Sequence, residues 1–288
     1  MASEGAQATP LIERYQGIIC DLDGVAYRGR DAVPDASAAL AAVIDRGMPV
    51  VFATNNASRP PGEVSAQLRE LGIPATPEAV LTSSQASAAY LAREFAPGTK
   101  VLAVGGHGVA DALTEAGLVP VAEGASDVAA VLQGYGPDVT AADLAEAAHA
   151  VTRGVRWVAT NGDLTLPHEW GFGPGCGALL ATVTIATGKH PDAVIGKPHP
   201  PLYLEAARRM ALAPSAILAI GDRLDTDIDG AAAADMDSVF VLTGVDSLAS
   251  LVATPERAVP TYVMTTLVGL LRPYAVPARD GASWECDG

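Results

Sequence analysis

Two aspartates one residue apart follow a short apolar segment near the start of the chain. Residues Gly17–Cys20 predict a buried strand, and Asp21 and Asp23 come directly after it, with Gly24 next. Alternate residues of a strand point to the same side, so both carboxylates can face one space beyond its carboxyl end. Two carboxylates held this close repel each other, so either the pKa of one of them is raised or a cation must bind between them. Considered alone, the pair is equally typical of a solvated acidic turn.

Three later stretches place further polar side chains after predicted strands. They are Thr54-Asn55-Asn56, Lys197-Pro198 and Gly221-Asp222-Arg-Leu-Asp225-Thr-Asp227. The carboxyl ends of parallel strands lie at one edge of a sheet, so these stretches are predicted to converge with the first pair. Together they contain a nucleophile, an acid/base, phosphate-binding donors, a cation and metal ligands. This set of groups is suited to phosphoryl transfer.

The acidic residues define the chemistry. A phosphate monoester is dianionic, and Asp21, Asp23, Asp222 and Asp227 would repel it, so a hard cation such as Mg²⁺ is required to reverse the local field. The cation would also polarise the phosphoryl group. Asp21 can attack phosphorus and form an aspartyl-phosphate. Asp23 can protonate the departing alkoxide and then deprotonate the attacking water.

The other residues of these stretches can bind the phosphoryl group. The Thr54 hydroxyl and the amide of Asn55 can hold its equatorial oxygens. Lys197 adds a positive charge and can orient Asp21. We therefore predict that Asp21, Asp23 and Lys197 are catalytic and that Thr54, Asn55 and Lys197 bind phosphate.

Strands and helices alternate along the chain, which predicts an α/β fold with a doubly wound, mostly parallel sheet. The alternation starts again after the hinge-like segment Ala96-Pro97-Gly98-Thr99. We predict a Rossmann-like catalytic core from residues 1–96 and 193–288, with residues 97–192 inserted as an α/β cap. Within that insert the glycine-rich stretch Gly171–Gly177 is expected to be a turn, and the tail from Pro273 is expected to be irregular.

The four stretches resemble, in order, the four motifs of the haloacid dehalogenase superfamily. They read Asp-Leu-Asp-Gly-Val, Thr-Asn-Asn, Lys-Pro and Gly-Asp-x-x-x-Thr-Asp, and the resemblance extends from Ile18 to Leu242. The insert is similar to the cap of the branch that contains p-nitrophenyl, phosphoglycolate and glycerol-3-phosphate phosphatases. Because Asp23 follows the nucleophile by two residues, the resemblance implies a phosphatase rather than a dehalogenase or an ion pump.

The resemblance also implies particular roles for individual residues. The metal ligands would be the side chains of Asp21 and Asp222 and the backbone carbonyl of Asp23. Asp227 would contact these ligands without binding the metal itself. In the cap, Asn161, Asp163 and His168 lie in a stretch that resembles the loop folded over the leaving group. The alternative for that loop is a simple turn with tight glycine packing.

Two further features are expected to have supporting roles only. Asp225 is expected at the surface or in a supporting position. The sequence Gly105-Gly-His-Gly108 hints at dinucleotide binding, but its spacing does not fit the full fingerprint, so a turn into a helix is expected.

Composition limits the partners. A net charge of −15 and a pI near 4.6 argue against nucleic acid. No apolar run reaches the roughly 18 residues needed to span a membrane, and the first residues lack the features of a signal peptide. The three cysteines, Cys20, Cys176 and Cys286, form neither a disulfide framework nor a metal-binding pattern, which predicts reduced thiols in a cytoplasmic protein. A redox role for Cys20 stays open.

We therefore expect a Mg²⁺-dependent phosphatase for a small phosphorylated metabolite, because an enclosing cap excludes phosphoproteins and polymers. The resemblance favours glycerol 3-phosphate or phosphoglycolate, followed by pyridoxal phosphate and nucleoside monophosphates. Rival hypotheses are a phosphomutase and a non-catalytic sensor of a phosphorylated metabolite. The intact Asp21 and Asp23 pair argues against the sensor. The resemblance also raises the question of a homodimer formed through the cap.

Overall fold

The computed structural model describes residues 9–122, 127–168, 171–275, 278–280 and 283–285. Strands and helices are numbered below in chain order. In the described part of the chain, no helix is both long enough and apolar enough to cross a membrane.

The larger sheet has six parallel strands and confirms the predicted α/β class. Its spatial order is β15 (Tyr262–Met264), β14 (Asp237–Val241), β13 (Ile217–Gly221), β1 (Gly17–Cys20), β4 (Val50–Thr54) and β5 (Val80–Thr82). The central strands are apolar runs buried along their length, as expected for strands covered on both faces.

Helices cover both faces of this sheet. They are α1 (Ala36–Asp45), α2 (Pro61–Glu70), α3 (Ser83–Glu94), α7 (Pro200–Met210), α8 (Asp229–Ala233) and α9 (Leu248–Ala253). Helix α3 begins at a capping box, in which the Thr82 hydroxyl accepts from the Gln85 amide while the Gln85 side chain accepts from the Thr82 amide. This capping box fixes the residue at which strand β5 ends and helix α3 begins.

A second parallel sheet is formed entirely between residues 100 and 194. Its spatial order is β12 (Ala193–Val194), β9 (Arg156–Ala159), β8 (Ala130–Gln133), β6 (Lys100–Val104) and β7 (Val119–Val121). Its helices are α4 (His107–Glu115), α5 (Ala141–Thr152) and α6 (Cys176–Thr187).

Three antiparallel pairs of short strands lie outside these two sheets. They are β2 (Tyr27–Arg28) with β3 (Asp31–Ala32), β10 (Thr165–His168) with β11 (Gly171–Pro174), and β16 (Ala278–Asp280) with β17 (Ser283–Glu285). The expected glycine-rich turn is therefore wrong in its first half, because Gly171–Pro174 is a strand. The expectation of an irregular tail is also wrong at the third pair.

The two sheets share one hydrophobic cluster. On the side of the larger sheet it includes Ile19, Val51 and Leu81, and on the side of the second sheet it includes Leu113 and Leu132. All five side chains are almost completely buried. Apolar burial of this kind stabilises the contact by roughly 25 cal/mol for each Å² removed from water. The second sheet is therefore packed onto the larger one and is not held by its connecting segments alone.

Candidate active site

The site lies where the order of the larger sheet reverses. From β1 the chain continues through β4 and β5 on one side, whereas β13, β14 and β15 extend the sheet on the other side. A crevice opens outside the carboxyl ends of strands at such a switch point. Asp21 follows β1, and Asp222 follows β13. The topology therefore brings the first and the last of the four stretches together.

Three carboxylates converge at this point. Oxygen atoms of Asp21, Asp222 and Asp227 lie within 4.8 Å of one another. Asp227 is brought there by the π-helical turn Leu224–Ile228, and its Oδ2 accepts a hydrogen bond of 3.1 Å from the Arg223 amide. Turns of this type are frequent at functional sites because they redirect a side chain within a helix.

One carboxylate oxygen of this cluster has no protein donor. Asp222 Oδ2 accepts from the Val245 amide at 2.7 Å, but Asp222 Oδ1 is buried and accepts no hydrogen bond from the described residues. An unsatisfied buried acceptor is costly, and a hard cation that prefers oxygen ligands would satisfy it. The residues present thus fit a divalent metal ion.

Glycines pack tightly around Asp222. A β-carbon on Gly244 or on Gly24 would overlap the Asp222 carboxylate. Gly24 also has a φ of +81°, which disfavours other residues there. The space around Asp222 is therefore shaped by backbone that carries no side chains.

Lys197 reaches the same cluster from the segment after β12. Its Nζ forms ion pairs with Asp21 Oδ1 and with Asp227 Oδ1, the latter at 2.8 Å, and only 4% of its side chain is exposed. Three carboxylates facing one ammonium group leave an excess of negative charge. A divalent cation would balance that excess.

Burial sets the protonation of these groups. It raises the pKa of Asp21 well above its ordinary value, and burial together with Asp227 raises the pKa of Asp222 to about 6. Burial opposes the charge of Lys197 as well, but Asp21 and Asp227 outweigh it, so the pKa of the lysine is raised and it stays protonated. Without a cation, the carboxylates are thus difficult to ionise together.

The side chain of Asn55 holds the backbone of Lys197. Asn55 Oδ1 accepts from the Lys197 amide at 2.8 Å, and Asn55 Nδ2 donates to the Lys197 carbonyl at 3.1 Å. The neighbouring Thr54 Oγ1 accepts from the Asn56 amide at 3.1 Å, so its proton remains free to be donated. The sequence predicted the phosphate-binding position of Asn55 but not its hold on the lysine.

The loop after β9 closes against this asparagine. Asn161 Nδ2 donates to the Asn55 carbonyl at 2.8 Å, and Asp163 Oδ2 accepts from Asn55 Nδ2 at 3.1 Å. Burial raises the pKa of Asp163, although the Asn55 donor acts in the opposite direction. The structure therefore brings two of the three predicted cap residues to the stretch that is predicted to bind phosphate. The third, His168, ends β10, and its side chain lies outside the part of the structure that is described.

Two remaining aspartates are placed as follows. Burial raises the pKa of Asp23, while the nearby Gly29 amide, in the turn between β2 and β3, acts in the opposite direction. Asp225 forms a two-point ion pair with Arg223, with N–O distances of 3.0 and 2.9 Å. That pairing is a supporting contact.

The Thr243-Gly244-Val245 loop and Ser83 were not among the residues predicted from the sequence. The loop follows β14, and Ser83 Oγ donates to the Asn55 carbonyl at 2.7 Å at the start of α3. The loop comes after a strand that the sequence predicts, so its position was a detectable signal. Ser83 follows β5, a strand of three residues that was not predicted, so no signal indicated it.

Comparison with known proteins assigns the family. The haloacid dehalogenase-like hydrolase model matches residues 18–119, and a HAD-hydrolase-like model matches residues 194–270. Together with the relatives described next, these matches show that the chain belongs to the haloacid dehalogenase-like hydrolases.

Three relatives are particularly similar. D-glycerol 3-phosphate phosphatase of Mycobacterium tuberculosis is 44% identical over 254 residues, which cover 88% of this chain and 70% of that protein. A crystal structure of glycerol phosphate phosphatase from the same organism in complex with magnesium has a TM-score of 0.85 and 43% identity, over 92% of this chain and 78% of that chain. Acid sugar phosphatase of Staphylococcus aureus is 37% identical over 251 residues, which cover 87% of this chain and 95% of that protein.

Proposed function

We propose that this protein is a Mg²⁺-dependent phosphatase that hydrolyses a small phosphomonoester through an aspartyl-phosphate on Asp21. The observation that carries the proposal is the cluster of Asp21, Asp222 and Asp227 beside the buried ammonium of Lys197, in which one Asp222 oxygen accepts no hydrogen bond from the residues that the structure describes. The fold, the family and the phosphatase relatives support the same reaction class.

The side chains of Asp21 and Asp222 and the backbone carbonyl of Asp23 would hold Mg²⁺. Asp227 would support them through Lys197, to which its Oδ1 is bound at 2.8 Å. Bound Mg²⁺ offsets the repulsion between the carboxylates and a dianionic substrate and polarises the phosphoryl group.

The protein's own residues carry both steps. Asp21 attacks phosphorus, the bond to the leaving oxygen breaks, and Asp23 donates its proton to that oxygen. Asp23 then removes a proton from a water molecule, which attacks phosphorus, releases phosphate and restores Asp21. The Thr54 hydroxyl, the Asn55 amide and the Lys197 ammonium hold the phosphoryl oxygens during both steps.

We assign substrate selection to residues 97–192 acting as a cap. Asn161 and Asp163 reach the Asn55 segment from this part of the chain, so the alcohol portion of a substrate would lie beside them. His168 joins them on the basis of its sequence position. Glycerol 3-phosphate is the preferred substrate, because the D-glycerol 3-phosphate phosphatase relative is 44% identical to this chain. Sugar phosphates are the second choice, because the acid sugar phosphatase relative is 37% identical.

Phosphate release from a panel of phosphomonoesters tests the proposal. The panel contains glycerol 3-phosphate, phosphoglycolate, sugar phosphates, pyridoxal 5′-phosphate and a nucleoside monophosphate, each with Mg²⁺ and with a chelator. We expect metal-dependent release that is fastest with glycerol 3-phosphate. Isomerised product without free phosphate would indicate a mutase, and binding without turnover would indicate a sensor.

We also propose a cytoplasmic homodimer. Cys20 and Cys176 are free and buried, which suits a reducing compartment, and burial raises the pKa of Cys20, which disfavours redox chemistry there. Helix α6 carries no charged residue, and Phe172 and Ile185 beside or on it are 78% and 85% exposed. For a chain of net charge −15, a neutral face is where a second copy can approach with least repulsion.

A further inference from the structure

Arg59 connects three elements next to the proposed site without belonging to the four stretches. It lies between β4 and α2, five residues after Thr54. Its Nη1 donates to Gln67 Oε1 in α2 at 2.8 Å. Its positive charge also lies close enough to the Tyr27 hydroxyl, at the start of β2, to act against the rise in the pKa of that tyrosine. The donors of a guanidinium group are fixed in one plane, so Arg59 holds Gln67 in a defined position.

Two hydrogen bonds lead from Arg59 to the turn beside Asp23. Gln67, which accepts from Arg59, donates through Nε2 to the Gly29 carbonyl at 3.1 Å, and the backbone of Asp23 forms a bridge with Tyr27 at the start of the same turn. The Gly29 amide also lies close enough to the Asp23 carboxylate to act against the rise in its pKa. Tyr27 is connected to the same region, because its carbonyl accepts from the Gly24 amide at 2.8 Å. The β2–β3 turn beside Asp23 is thus held by Gln67, which Arg59 binds.

The second sheet contacts the chain immediately before this arginine. The Gly108 amide, in the first turn of α4, donates to the Ser58 carbonyl at 3.1 Å. A β-carbon on Gly108 would lie 2.8 Å from the Ala57 carbonyl oxygen and 3.0 Å from the Arg59 carbonyl carbon. The sequence Gly105–Gly108, which has no nucleotide-binding spacing, therefore permits close backbone contact with the Ala57–Arg59 segment.

We propose that Arg59 is a positioning residue for Asp23: it holds the β2–β3 turn in the place from which Asp23 can reach the leaving oxygen. The inference rests on the proposed phosphatase function and adds a residue to it. The positive charge of Arg59 also attracts the Asp23 carboxylate. Loss of Arg59 should consequently impair proton donation more than it impairs nucleophilic attack by Asp21.

The test compares two leaving groups in Arg59→Ala. Nitrophenolate departs from p-nitrophenyl phosphate without a proton, whereas the alkoxide of glycerol 3-phosphate needs one. The comparison uses kcat/KM, which reports the steps up to departure of the leaving group and leaves out the later attack of water, for which both substrates need Asp23. General acid catalysis is typically worth about 10²–10⁴-fold, so a misplaced acid should lower kcat/KM for glycerol 3-phosphate by about tenfold or more. For p-nitrophenyl phosphate we expect a loss of kcat/KM of no more than about threefold. Equal losses of kcat/KM with both substrates would overturn the proposal.

A double-mutant cycle separates positioning from general damage. If Arg59 acts through Asp23, adding Arg59→Ala to Asp23→Asn should cause no further loss of kcat for glycerol 3-phosphate. Independent, multiplying losses would overturn the proposal. Arg59→Lys keeps the charge but not the planar donors. It should recover part of the activity toward glycerol 3-phosphate that Arg59→Ala loses.

Two other variants serve as a control and as a replacement if Arg59→Ala does not fold. Arg69→Ala is the matched control, because Arg69 in α2 donates to the Ala75 carbonyl at 2.8 Å and, within the described part of the chain, to no group of the β2–β3 turn, so its loss should leave the substrate ratio unchanged. If Arg59→Ala does not fold, Gln67→Leu cuts the link to Gly29 and should show the same selective loss; an unchanged ratio would contradict the proposal. Wild-type protein that releases no phosphate from any ester would instead refute the proposed function itself.

Discussion

At the scale of single residues, the proposed nucleophile is the most direct point of test. Asp21→Asn keeps an oxygen ligand for Mg²⁺ but removes the nucleophilic carboxylate. We expect phosphate release to fall by about 10³-fold or more while Mg²⁺ binding is retained, since loss of a nucleophile removes the covalent route. Steady-state kinetics and calorimetric Mg²⁺ titration measure the two properties.

Asp225→Asn is the matched control for that substitution. Asp225 is also a carboxylate close to the site, but it pairs with Arg223 and does not belong to the cluster of Asp21, Asp222 and Asp227. Phosphate release by this variant should stay within about twofold of wild type. Asp21→Asn with near wild-type turnover would contradict the nucleophile assignment.

The pKa of Asp222 gives the pH dependence of metal binding. Burial and Asp227 raise it to about 6, so below that pH the folded, metal-free protein carries a proton where the cation should bind. The pKa of Asp21 is raised as well, so both carboxylate ligands take up protons more readily than free carboxyl groups. We therefore expect the Kd for Mg²⁺ to rise at least about tenfold for each pH unit below 6. Calorimetric titration of chelator-treated protein checks this. A Kd that is constant down to pH 5 would show that Asp222 is not a ligand.

The sequence predicted the residues that carry charge in the site. Asp21 and Asp222 follow neighbouring strands of the larger sheet, so topology brings them together. Lys197 instead follows β12 of the second sheet, and Asp227 lies in the π-helical turn, so one shared sheet edge, as predicted from the sequence, does not account for these two residues. The grip of Asn55 on the Lys197 backbone could not be predicted, because it depends on how two loops from distant parts of the chain meet. The same is true of Arg59, whose partners come from α2 and β2.

At the scale of elements, the loop after β14 shapes the metal site. Gly244 has no strained φ, but a β-carbon there would overlap the Asp222 carboxylate. We expect Gly244→Ala to weaken Mg²⁺ binding by at least about tenfold and to lower phosphate release accordingly at subsaturating metal. Gly62→Ala is the control, since a β-carbon at Gly62 meets nothing within 4 Å. Unchanged Mg²⁺ affinity in Gly244→Ala would show that the loop moves aside freely.

Elements with strong apolar runs were predicted, and short pairs were not. Strands β1, β4 and β13 are continuous apolar runs that need cover on both faces. Strand β11 contains two glycines and a proline, which disfavour a strand, and it exists because β10 pairs with it. The pairs β2–β3 and β16–β17 have two or three residues in each strand, too few for a recognisable alternation.

At the scale of the whole molecule, the excess of buried carboxylates over the single ammonium of Lys197 should make the free energy of unfolding depend on bound Mg²⁺. Mg²⁺ at 100 times its Kd would stabilise the folded state by about 2.7 kcal/mol if it does not bind the unfolded chain. We expect the Tm to rise by several degrees with Mg²⁺ and to fall again with a chelator. Asp222→Asn should raise the Tm of the metal-free protein and abolish the Mg²⁺ response, as measured by calorimetry. A wild-type Tm that ignores Mg²⁺ would contradict the metal site.

The oligomeric state tests the proposed neutral face. Phe172→Glu and Ile185→Glu place charge on that face, and we expect them to shift the protein from dimer to monomer in light scattering coupled to size-exclusion chromatography. Val252→Glu is the matched control, because Val252 in α9 is 82% exposed but lies on another element. A wild-type protein that is monomeric at high concentration would remove the dimer from consideration.

The hydrophobic cluster shared by the two sheets limits how this protein could be rebuilt. Exchanging residues 97–192 for the corresponding part of a relative would join two apolar surfaces that were not shaped for each other. Side chains such as Leu113 and Leu132 would have to travel together with Val51 and Leu81, which they join in one cluster. Residues 97–192 are thus difficult to exchange as one unit. If this segment is the proposed cap, a change of substrate is better sought in the loop at Asn161–Asp163 than by exchanging the whole segment.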